Sequence, residues 1–275
     1  MPSDKLRIIL LTHGGAEEVL NQLCALEYIE VAAVVVESAT PRQRTLVEKI
    51  KRSIRYDGYI ETFRKLLGKK SADNAGSAED NLKTIAERNG IPYHVLNNYH
   101  APESIGLLKS LNADLGVGFG TNILKETVFG IPKLGTINFH NGFVPYYRGG
   151  PPVFWELFND ESELGLTVHW MAAQVDAGDV ILQEKVPLVY DNSYGIDYES
   201  FIADYRARLA GKFAELVSSA VGLIARGEAP RIKQDPTLGK RYRLPIKSEK
   251  DELRRRLKVR AKRAPDAQKT LAVTE

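Results

Sequence analysis

The chain has 275 residues, of which 43% are hydrophobic and 27% charged, and its formal net charge is +3; this is ordinary globular material for one large domain, or for one domain with an appendage. The single cysteine, Cys24, excludes an internal disulfide framework, and no apolar run approaches the ~18–20 residues needed to cross a bilayer. A polar start, Met1 to Lys5, leads straight into an apolar strand, so we expect no signal peptide and a cytoplasmic protein with no membrane partner.

The chain opens with a strand–helix–strand pattern. Leu6–Leu11 is a near-continuous apolar run typical of a buried parallel strand, Ala16–Leu26 predicts a helix with one apolar stripe, and Val31–Val36 predicts a second strand. This order implies a right-handed crossover and a parallel sheet. The intervening Gly14-Gly15 turn lacks the spacing of a dinucleotide fingerprint, and no Walker-type Lys-Ser/Thr follows it, so no nucleotide cofactor is assigned.

Residues 40–80 interrupt this alternation. Pro41–Lys70 is basic and mostly helical in pattern, and Ser71–Ala78 predicts a mobile loop. We interpret the segment as an insertion on one face of the domain. A substrate lid, a subunit contact within a homodimer and a solvated surface decoration all stay open as its role.

The alternation resumes beyond the insertion. Tyr93–Leu96 and Asp114–Gly120 predict strands, Pro102–Leu111 and Lys125–Phe129 predict helices, and Ile202–Ala225 predicts one long amphipathic helix. The predicted fold is therefore α/β, with a Rossmann-like and mostly parallel sheet flanked by helices.

Residues 135–152 form the most informative stretch of the sequence. A predicted strand carries Asn138 and His140 two residues apart, so both side chains leave the same face, and a Pro- and Gly-rich loop follows at once. An amide donor beside a titratable imidazole suits a reaction in which a carbonyl oxygen becomes an oxyanion. A further predicted strand, Leu166–Met171, is followed by a Gly-containing turn that carries Asp176 and can bring its carboxylate back toward the strand of Asn138 and His140.

Asn138-x-His140, followed by Pro145-x-Tyr147-Arg148-Gly149 and then by Asp176-x-Gly178 and Gln183, resembles the signature of the 10-formyltetrahydrofolate-dependent formyltransferases. That family includes methionyl-tRNA formyltransferase, glycinamide ribonucleotide transformylase and the sugar-nucleotide N-formyltransferases. The resemblance covers roughly residues 5–245 without the insertion. It implies transfer of a formyl group to a primary amine, with 10-formyltetrahydrofolate as the cosubstrate. No grouping of ligand residues in the sequence suggests a metal.

The resemblance also implies catalytic roles for three side chains. His140 would donate a hydrogen bond or proton to the developing oxyanion, and Asn138 would be a second donor. Asp176 would favour the protonated form of His140 and help to pass the proton of the amine through water. Simpler readings remain: His140 as a hydrogen-bonded strand histidine and Asp176 as a turn residue. His169 is predicted to be mainly structural, and Asp179 to be a turn or solvent carboxylate.

Binding residues follow from the same resemblance. The loop after the Asp114–Gly120 strand and two residues near Asp176 would together line the folate pocket. The predicted cofactor-binding residues are Phe119, Gly120, Thr121, Asn122, Ile123, Leu124, Val175 and Gly178. Glycine there also suits a tight strand-to-helix turn, which is the alternative reading. The predicted substrate-binding residues follow His140: Gly142, Pro145, Tyr147, Arg148 and Gly149. Family members usually have Ser-Leu-Leu-Pro where this chain has Gly142-Phe-Val-Pro145, so we expect an altered acceptor pocket.

The C-terminal part of the sequence is basic, since residues 231–263 hold fourteen Lys/Arg and four Asp/Glu. We predict a catalytic domain over residues 1–228 and a basic extension over 229–275. Arg254–Arg263 suits contacts with the phosphates of tRNA, or is a solvated helix face. The extension looks short for the tRNA-gripping domain of the methionyl-tRNA enzyme. An amino-sugar nucleotide is therefore the preferred acceptor, ahead of methionyl-tRNA and glycinamide ribonucleotide. A formyltetrahydrofolate hydrolase, which uses water, and a catalytically silent relative are the other classes.

Overall fold

The computed structural model describes residues 5–38, 46–58, 76–235 and 237–263. The strands are β1 Leu6–Thr12, β2 Ile29–Glu37, β3 Tyr93–Leu96, β4 Leu115–Phe119, β5 Thr136–His140, β6 Tyr147–Gly149, β7 Glu163–Trp170, β8 Val180–Pro187 and β9 Lys240–Tyr242. The helices are α1 Glu17–Cys24, α2 Leu46–Asp57, α3 Gly76–Arg88, α4 Pro102–Ser110, α5 Glu126–Phe129, α6 Phe154–Phe158, α7 Tyr198–Arg208, α8 Ala210–Ala225 and α9 Lys247–Arg263, with a 3₁₀ turn at Asn192–Tyr194.

Seven strands form one sheet in the order β3-β2-β1-β4-β5-β7-β8. Strands β1 to β5 are parallel, and β7 runs antiparallel to both of its neighbours, β5 and β8. The predicted α/β, mostly parallel sheet is confirmed. The first two crossovers extend the sheet on one side of β1, through β2 and β3, and the third leads to β4 on the other side, which opens a crevice at the carboxyl ends of β1 and β4.

Both faces of the sheet are buried, which explains why β1 reads as continuously apolar. Ile8 and Leu10 point into the larger core cluster with residues of α1, α3 and α8, while Ile9 and Leu11 point into a second cluster with residues of α4 and α5. All four side chains are at most 1% exposed. A parallel strand between two helical layers has no face that tolerates polar residues.

Two helix predictions need correction. The expected single helix over Ile202–Ala225 is two helices, α7 and α8, which meet at Leu209, where ψ is 0° and the helical path breaks. Part of the predicted loop Ser71–Ala78 lies outside the described residues, but from Gly76 onward the chain is helix α3. Burial of Leu82 and Ala86, one turn apart on α3, stabilises that helix against the core, a tertiary term that local composition does not reveal.

The chain beyond residue 228 folds back onto the body. Ile232 forms an antiparallel bridge with Val180, and β9 pairs in parallel with β6 in a separate two-stranded sheet. Leu253 and Leu257 of α9 are 0% exposed and belong to the larger core cluster. Tyr147–Gly149, which belongs to the predicted Pro- and Gly-rich loop, is thus a strand, because its partner comes from about 90 residues later in the chain. Among the helices described, none has the length and hydropathy needed to cross a membrane.

Candidate active site

The first two candidate catalytic side chains lie on β5, near the middle of the sheet. Asn138 faces His169 across the antiparallel pair of β5 and β7, and His140 faces Thr167. His140 and His169 are 7% and 2% exposed. Cross-strand neighbours on one face of a sheet lie within contact distance, so the strand pairing itself places His169 beside Asn138.

Asp176 reaches the same place from the loop between β7 and β8. The loop is closed by a hydrogen bond from the Trp170 amide to the Asp179 carbonyl at 2.9 Å. Asp176 has a φ of +49°, a conformation that aspartate tolerates better than most residues. A Cβ on Gly178 would lie 1.8 Å from the Trp170 carbonyl oxygen, so only glycine allows this closure. Asp176 Oδ2 lies 3.5 Å from Nδ1 of His140.

Backbone groups of β6 hold both members of this pair. His140 Nε2 donates to the Tyr147 carbonyl at 2.7 Å, and the Gly149 amide donates to Asp176 Oδ2 at 2.8 Å. Because a carbonyl only accepts, Nε2 of His140 carries a hydrogen in every protonation state. In the neutral ring, Nδ1 is therefore the free acceptor, and it faces the carboxylate.

His169 links Asn138 to Asp176. Its Nδ1 donates to the Trp170 carbonyl at 2.8 Å, and its Nε2 lies 3.3 Å from Nδ2 of Asn138 and 3.6 Å from Oδ1 of Asp176. The neutral ring accepts from the Asn138 amide, whereas the protonated ring donates to the carboxylate. The position of one proton thus decides which neighbour His169 engages. The sequence prediction that His169 is mainly structural misses this place in the cluster.

Burial and charge act in opposite directions on the pair. Burial lowers the pKa of His140; the Asp176 carboxylate and the Tyr147 carbonyl raise it only in part, so the pKa lies below the usual histidine value. Burial alone would raise the pKa of Asp176, but the hydrogen bond with His169, the charges of both histidines and the Gly149 amide outweigh it and hold the pKa at about 2. We expected Asp176 to favour protonated His140. Its influence has that sign, but burial is the larger effect.

This arrangement combines an ionised carboxylate, a neutral imidazole and a primary amide. A neutral imidazole with a free Nδ1 can take a proton, and the carboxylate 3.5 Å away stabilises the resulting cation. The Asn138 amide can donate to an oxyanion. The cluster therefore has the parts for attack by an amine on a carbonyl carbon.

Gln234 is a residue of the site that the sequence interpretation missed. Its Nε2 donates to the carbonyls of Asp176 at 3.1 Å and of Gly178 at 2.6 Å. It thereby braces the loop that carries the carboxylate, from a position 58 residues further along the chain. No local pattern around a single glutamine signals such a contact. His169 carries a detectable signal, because an antiparallel neighbour of Asn138 must share its face.

The loop after β4 holds most of the predicted cofactor-binding residues, and these differ in exposure. Gly120 adopts a φ of +63°, Ile123 is 64% exposed, and Leu124 is 8% exposed and packs in the second core cluster. The ring of Phe119 stacks on Phe139 at a centroid distance of 5.5 Å. Asn122 Nδ2 donates to Glu37 at 3.3 Å, which joins this loop to the end of β2. Thr121 and Val175 are half-buried. Cofactor binding by this set stays a prediction.

The predicted substrate-binding residues follow His140 and are tightly packed. A Cβ on Gly142 would lie 2.5 Å from Nε2 of His140 and 2.4 Å from the Tyr147 carbonyl oxygen. The serine usual in the family would thus collide with the hydrogen bond that fixes the imidazole. Arg148 is 5% exposed, and Tyr147 stacks on Tyr242 with its ring centroid at 5.2 Å.

The rest of that loop is anchored from two directions. Gln183 Nε2 donates to the Val144 carbonyl at 2.8 Å and to the Thr167 hydroxyl at 3.1 Å. The carbonyl of Pro145 lies so close to Gly239 that a Cβ there would be 1.9 Å from it. Contact of these residues with a substrate stays a prediction. Within the described ranges, no three His, Cys, Asp or Glu side chains are grouped to hold a metal ion.

Comparison with known proteins places this geometry in context. Residues 6–201 match the protein-family model described as Formyl transferase. A methionyl-tRNA formyltransferase of Moorella thermoacetica is 36% identical over 172 residues, which is 62% of this chain and 52% of that protein. The chain spans about half the length of the curated relatives it matches.

Solved structures show the same fold. A sugar N-formyltransferase from a Shewanella species superposes with a TM-score of 0.57 at 13% identity, covering 86% of this chain and 76% of that one. WlaRD, a sugar 3N-formyl transferase solved in the presence of dTDP and 5-N-formyl-THF, superposes with a TM-score of 0.51 at 16% identity, covering 87% and 70%. At these identities the likeness concerns the fold alone.

Proposed function

The chain belongs to the formyl transferase family, and from that membership we propose that it transfers the formyl group of 10-formyltetrahydrofolate to a primary amine. The observation that carries this proposal is the meeting of Asn138, His140 and Asp176 in one buried cluster, with 3.5 Å between imidazole and carboxylate. The reaction joins the amine nitrogen to the formyl carbon and breaks the bond from that carbon to N10 of the folate. The amine loses one proton and N10 gains one, which leaves a formamide and tetrahydrofolate.

In this proposal the two strand residues act on opposite charges. The Asn138 amide donates to the carbonyl oxygen as it gains negative charge, and loss of one such donor typically costs about 10²–10³ in rate. His140, neutral at rest, takes the proton of the attacking amine at Nδ1 and returns it toward N10. Asp176, ionised because its pKa is about 2, stabilises the imidazolium between those two events.

For the acceptor, we propose an amino-sugar nucleotide rather than a tRNA, because four of the five arginines of the basic helix α9 are already engaged by carboxylates. Four arginines of α9 are paired with carboxylates of the same chain at N···O distances of 2.5 to 2.8 Å: Arg254 with Glu199, Arg255 and Arg256 with Glu252, and Arg260 with Asp160. Arginines engaged in this way have little charge left for a phosphate backbone. A small acceptor needs no such surface.

Methionyl-tRNA is the second candidate acceptor, and a specific observation favours it. The curated relatives with 36% identity are named methionyl-tRNA formyltransferases. That identity extends over 172 residues and leaves about half of the Moorella protein unmatched, so it supports the shared chemistry more strongly than the acceptor.

The test is release of tetrahydrofolate from 10-formyltetrahydrofolate with the purified whole chain. The acceptors are amino-sugar nucleotides, charged methionyl-tRNA and water alone, with Asp176→Asn as the inactive control. Release that depends on an amine supports the proposal, and preference for the sugar nucleotide supports the acceptor. Equal release with and without an amine would identify a hydrolase instead. If release stays at the level of the Asp176→Asn control with every acceptor and with water, formyl transfer is contradicted altogether.

A further inference from the structure

A pocket of about 650 Å³ lies between the insertion and the C-terminal extension. Its walls come from α2, from the segment after β6, from α7 and from the start of α9. The apolar and aromatic residues of the lining include Tyr56, Pro151, Pro152, Phe154, Tyr198 and Ile202. Concave sites of this size with mainly apolar walls and few polar groups are typical of small-molecule binding.

The pocket adjoins the catalytic cluster through the chain itself. Pro151 stands two residues after Gly149, whose amide donates to Asp176 at 2.8 Å. Leu244 of the opposite wall stands two residues after Tyr242, which pairs with Gly149 in the sheet of β6 and β9. One wall of the pocket thus continues from the strand whose Gly149 amide holds Asp176, although none of Asn138, His140 and Asp176 lines the pocket itself.

One face of α7 supplies a cation to the pocket. Tyr198, Ile202 and Arg206 are spaced four residues apart and all line it, as neighbours on one helix face do. Desolvation lowers the pKa of Arg206, and no carboxylate in the described part of the chain offsets it. Lys250 on the facing wall is only loosely paired, 3.8 Å from Asp57. The lining therefore holds two cations, Arg206 of α7 and Lys250 of α9, beside two carboxylates, Asp57 and Glu199.

Tyr198 brings a hydroxyl to the pocket, next to the carboxylate of Glu199. Its side chain is buried at 3% exposure, and its hydroxyl makes no hydrogen bond of normal geometry with the described residues. Burial, followed by the nearby Glu199, raises the pKa of this hydroxyl, so it stays protonated. The hydroxyl is therefore a donor at the pocket wall, with the Glu199 carboxylate as its neighbour.

We propose that this pocket binds the nucleoside phosphate part of the acceptor, with the base among Tyr56, Phe154 and Tyr198 and the phosphate at Arg206. The inference rests on the proposed function, because it assigns a site to one part of the proposed acceptor. Flat bases stack on aromatic side chains whatever their sequence, and a guanidinium fits a phosphate in a bidentate manner. The benzoylglutamate of the folate is also an aromatic group with an anion, so the test must separate these two sources.

The test is calorimetric titration of the whole chain with UDP and dTDP. Arg206→Gln is expected to weaken nucleotide binding by about tenfold or more, the usual worth of a charge-assisted hydrogen bond. Ile202→Trp, which fills the pocket from a half-buried position, is expected to abolish it while the circular dichroism spectrum is kept. Arg208→Gln is the matched control, since that arginine lies on the same helix and contacts the ring of Tyr205 at 5.9 Å instead.

Binding of 5-formyltetrahydrofolate to the same variants is the second arm. Unchanged folate affinity together with weakened nucleotide binding supports the inference. The inference is overturned if the wild type does not bind the nucleotides, or if both variants still bind them normally. It is also overturned if the substitutions weaken the binding of folate and not the binding of nucleotide. Formyl transfer to an amine without nucleotide binding would contradict the proposed nucleotide site and leave the proposed function intact. Nucleotide binding as expected, with no formyl transfer to any amine, would support the nucleotide site and contradict the proposed function.

Discussion

The strand pair β5–β7 and the returning segment 232–245 both shape the candidate site, but in different ways. The strand pair provides side chains: Asn138 and His140 stand on one strand, and His169 faces Asn138 from the next. The returning segment provides supports, since Gln234 holds the carbonyls of the Asp176 loop and β9 pairs with β6. The chemistry of the site is thus encoded within about 40 residues, while its geometry depends on chain that arrives much later.

The supports converge on two backbone groups of β6. The Tyr147 carbonyl holds His140, and the Gly149 amide holds Asp176. Strand β9 pairs with this strand along its length, and the Trp155 indole donates to the Arg243 carbonyl at 2.8 Å just beyond it. A catalytic pair held through backbone groups is only as well positioned as the strand that carries them.

The largest effects are expected from the side chains of the strand pair and the carboxylate. Asn138→Ala should lower kcat by about 10²–10³, because it removes a donor to the oxyanion. His140→Ala and Asp176→Ala should each lower it by about 10²–10⁴, because they remove the proton acceptor and its counterion. Steady-state release of tetrahydrofolate measures all three, with folding checked by circular dichroism.

The control for these three is Asp179→Asn, in the same loop. Asp179 pairs with the exposed Lys233 at 2.9 Å rather than with a histidine. Turnover within about twofold of the wild type is expected, since exposed ion pairs contribute little. Near-normal turnover in Asn138→Ala, His140→Ala or Asp176→Ala would remove that residue from its proposed role.

Gly142→Ser tests whether the loop after β5 is matched to the position of His140. The new Cβ would lie 2.5 Å from Nε2 of His140, so the ring or the Tyr147 carbonyl must move and their hydrogen bond is lost. A displacement near 1 Å in a catalytic group can cost about 10² in rate, and that is the expected loss in kcat. Histidine NMR should show the changed environment of the ring.

The matched control is Gly106→Ser on α4, where an added Cβ meets open space. It should leave kcat unchanged. Full activity in Gly142→Ser would mean that the hydrogen bond between His140 and Tyr147 is not needed for turnover, and that the usual serine of the family is accommodated here as well.

Gln234→Leu tests the returning segment, with an expected loss in kcat of about tenfold, smaller because the residue acts through Asp176. Movement of the carboxylate away from His140 removes an influence that raises the pKa of that histidine. The acid limb of the kcat/KM profile should therefore shift to lower pH. In an Asp176→Asn background the substitution should have little further effect, as expected for coupled residues. Additive losses and an unmoved pH profile would contradict this positioning role.

The difference between the two regions also explains what the sequence could and could not predict. Parallel strands, their order of appearance and the spacing of Asn138 and His140 follow from periodicity over a few residues. The bracing by Gln234 and the pairing of β6 with β9 depend on contacts between segments 58 to about 90 residues apart. The sequence predicts a loop at Tyr147–Gly149, because a three-residue strand has no periodicity to detect and its partner strand lies about 90 residues away.

The smallest effect is a stability difference at low pH, and it concerns the carboxylate that both regions hold. In the folded chain the pKa of Asp176 lies at about 2, below its ordinary value of 3.8. The unfolded chain therefore binds the extra proton between these values, so the stabilisation is present above pH 4 and is lost as the pH falls toward 2. Its size is on the order of 2 kcal/mol. Urea unfolding at pH 5 and at pH 2.5 should show a loss of stability in the wild type and in Asn89→Ala, a surface control, that exceeds the loss in Asp176→Asn by about this amount, because other carboxylates with lowered pKa values contribute equally in all three proteins. Parallel losses in all three proteins would mean that the histidines and the Gly149 amide do not hold the carboxylate in solution.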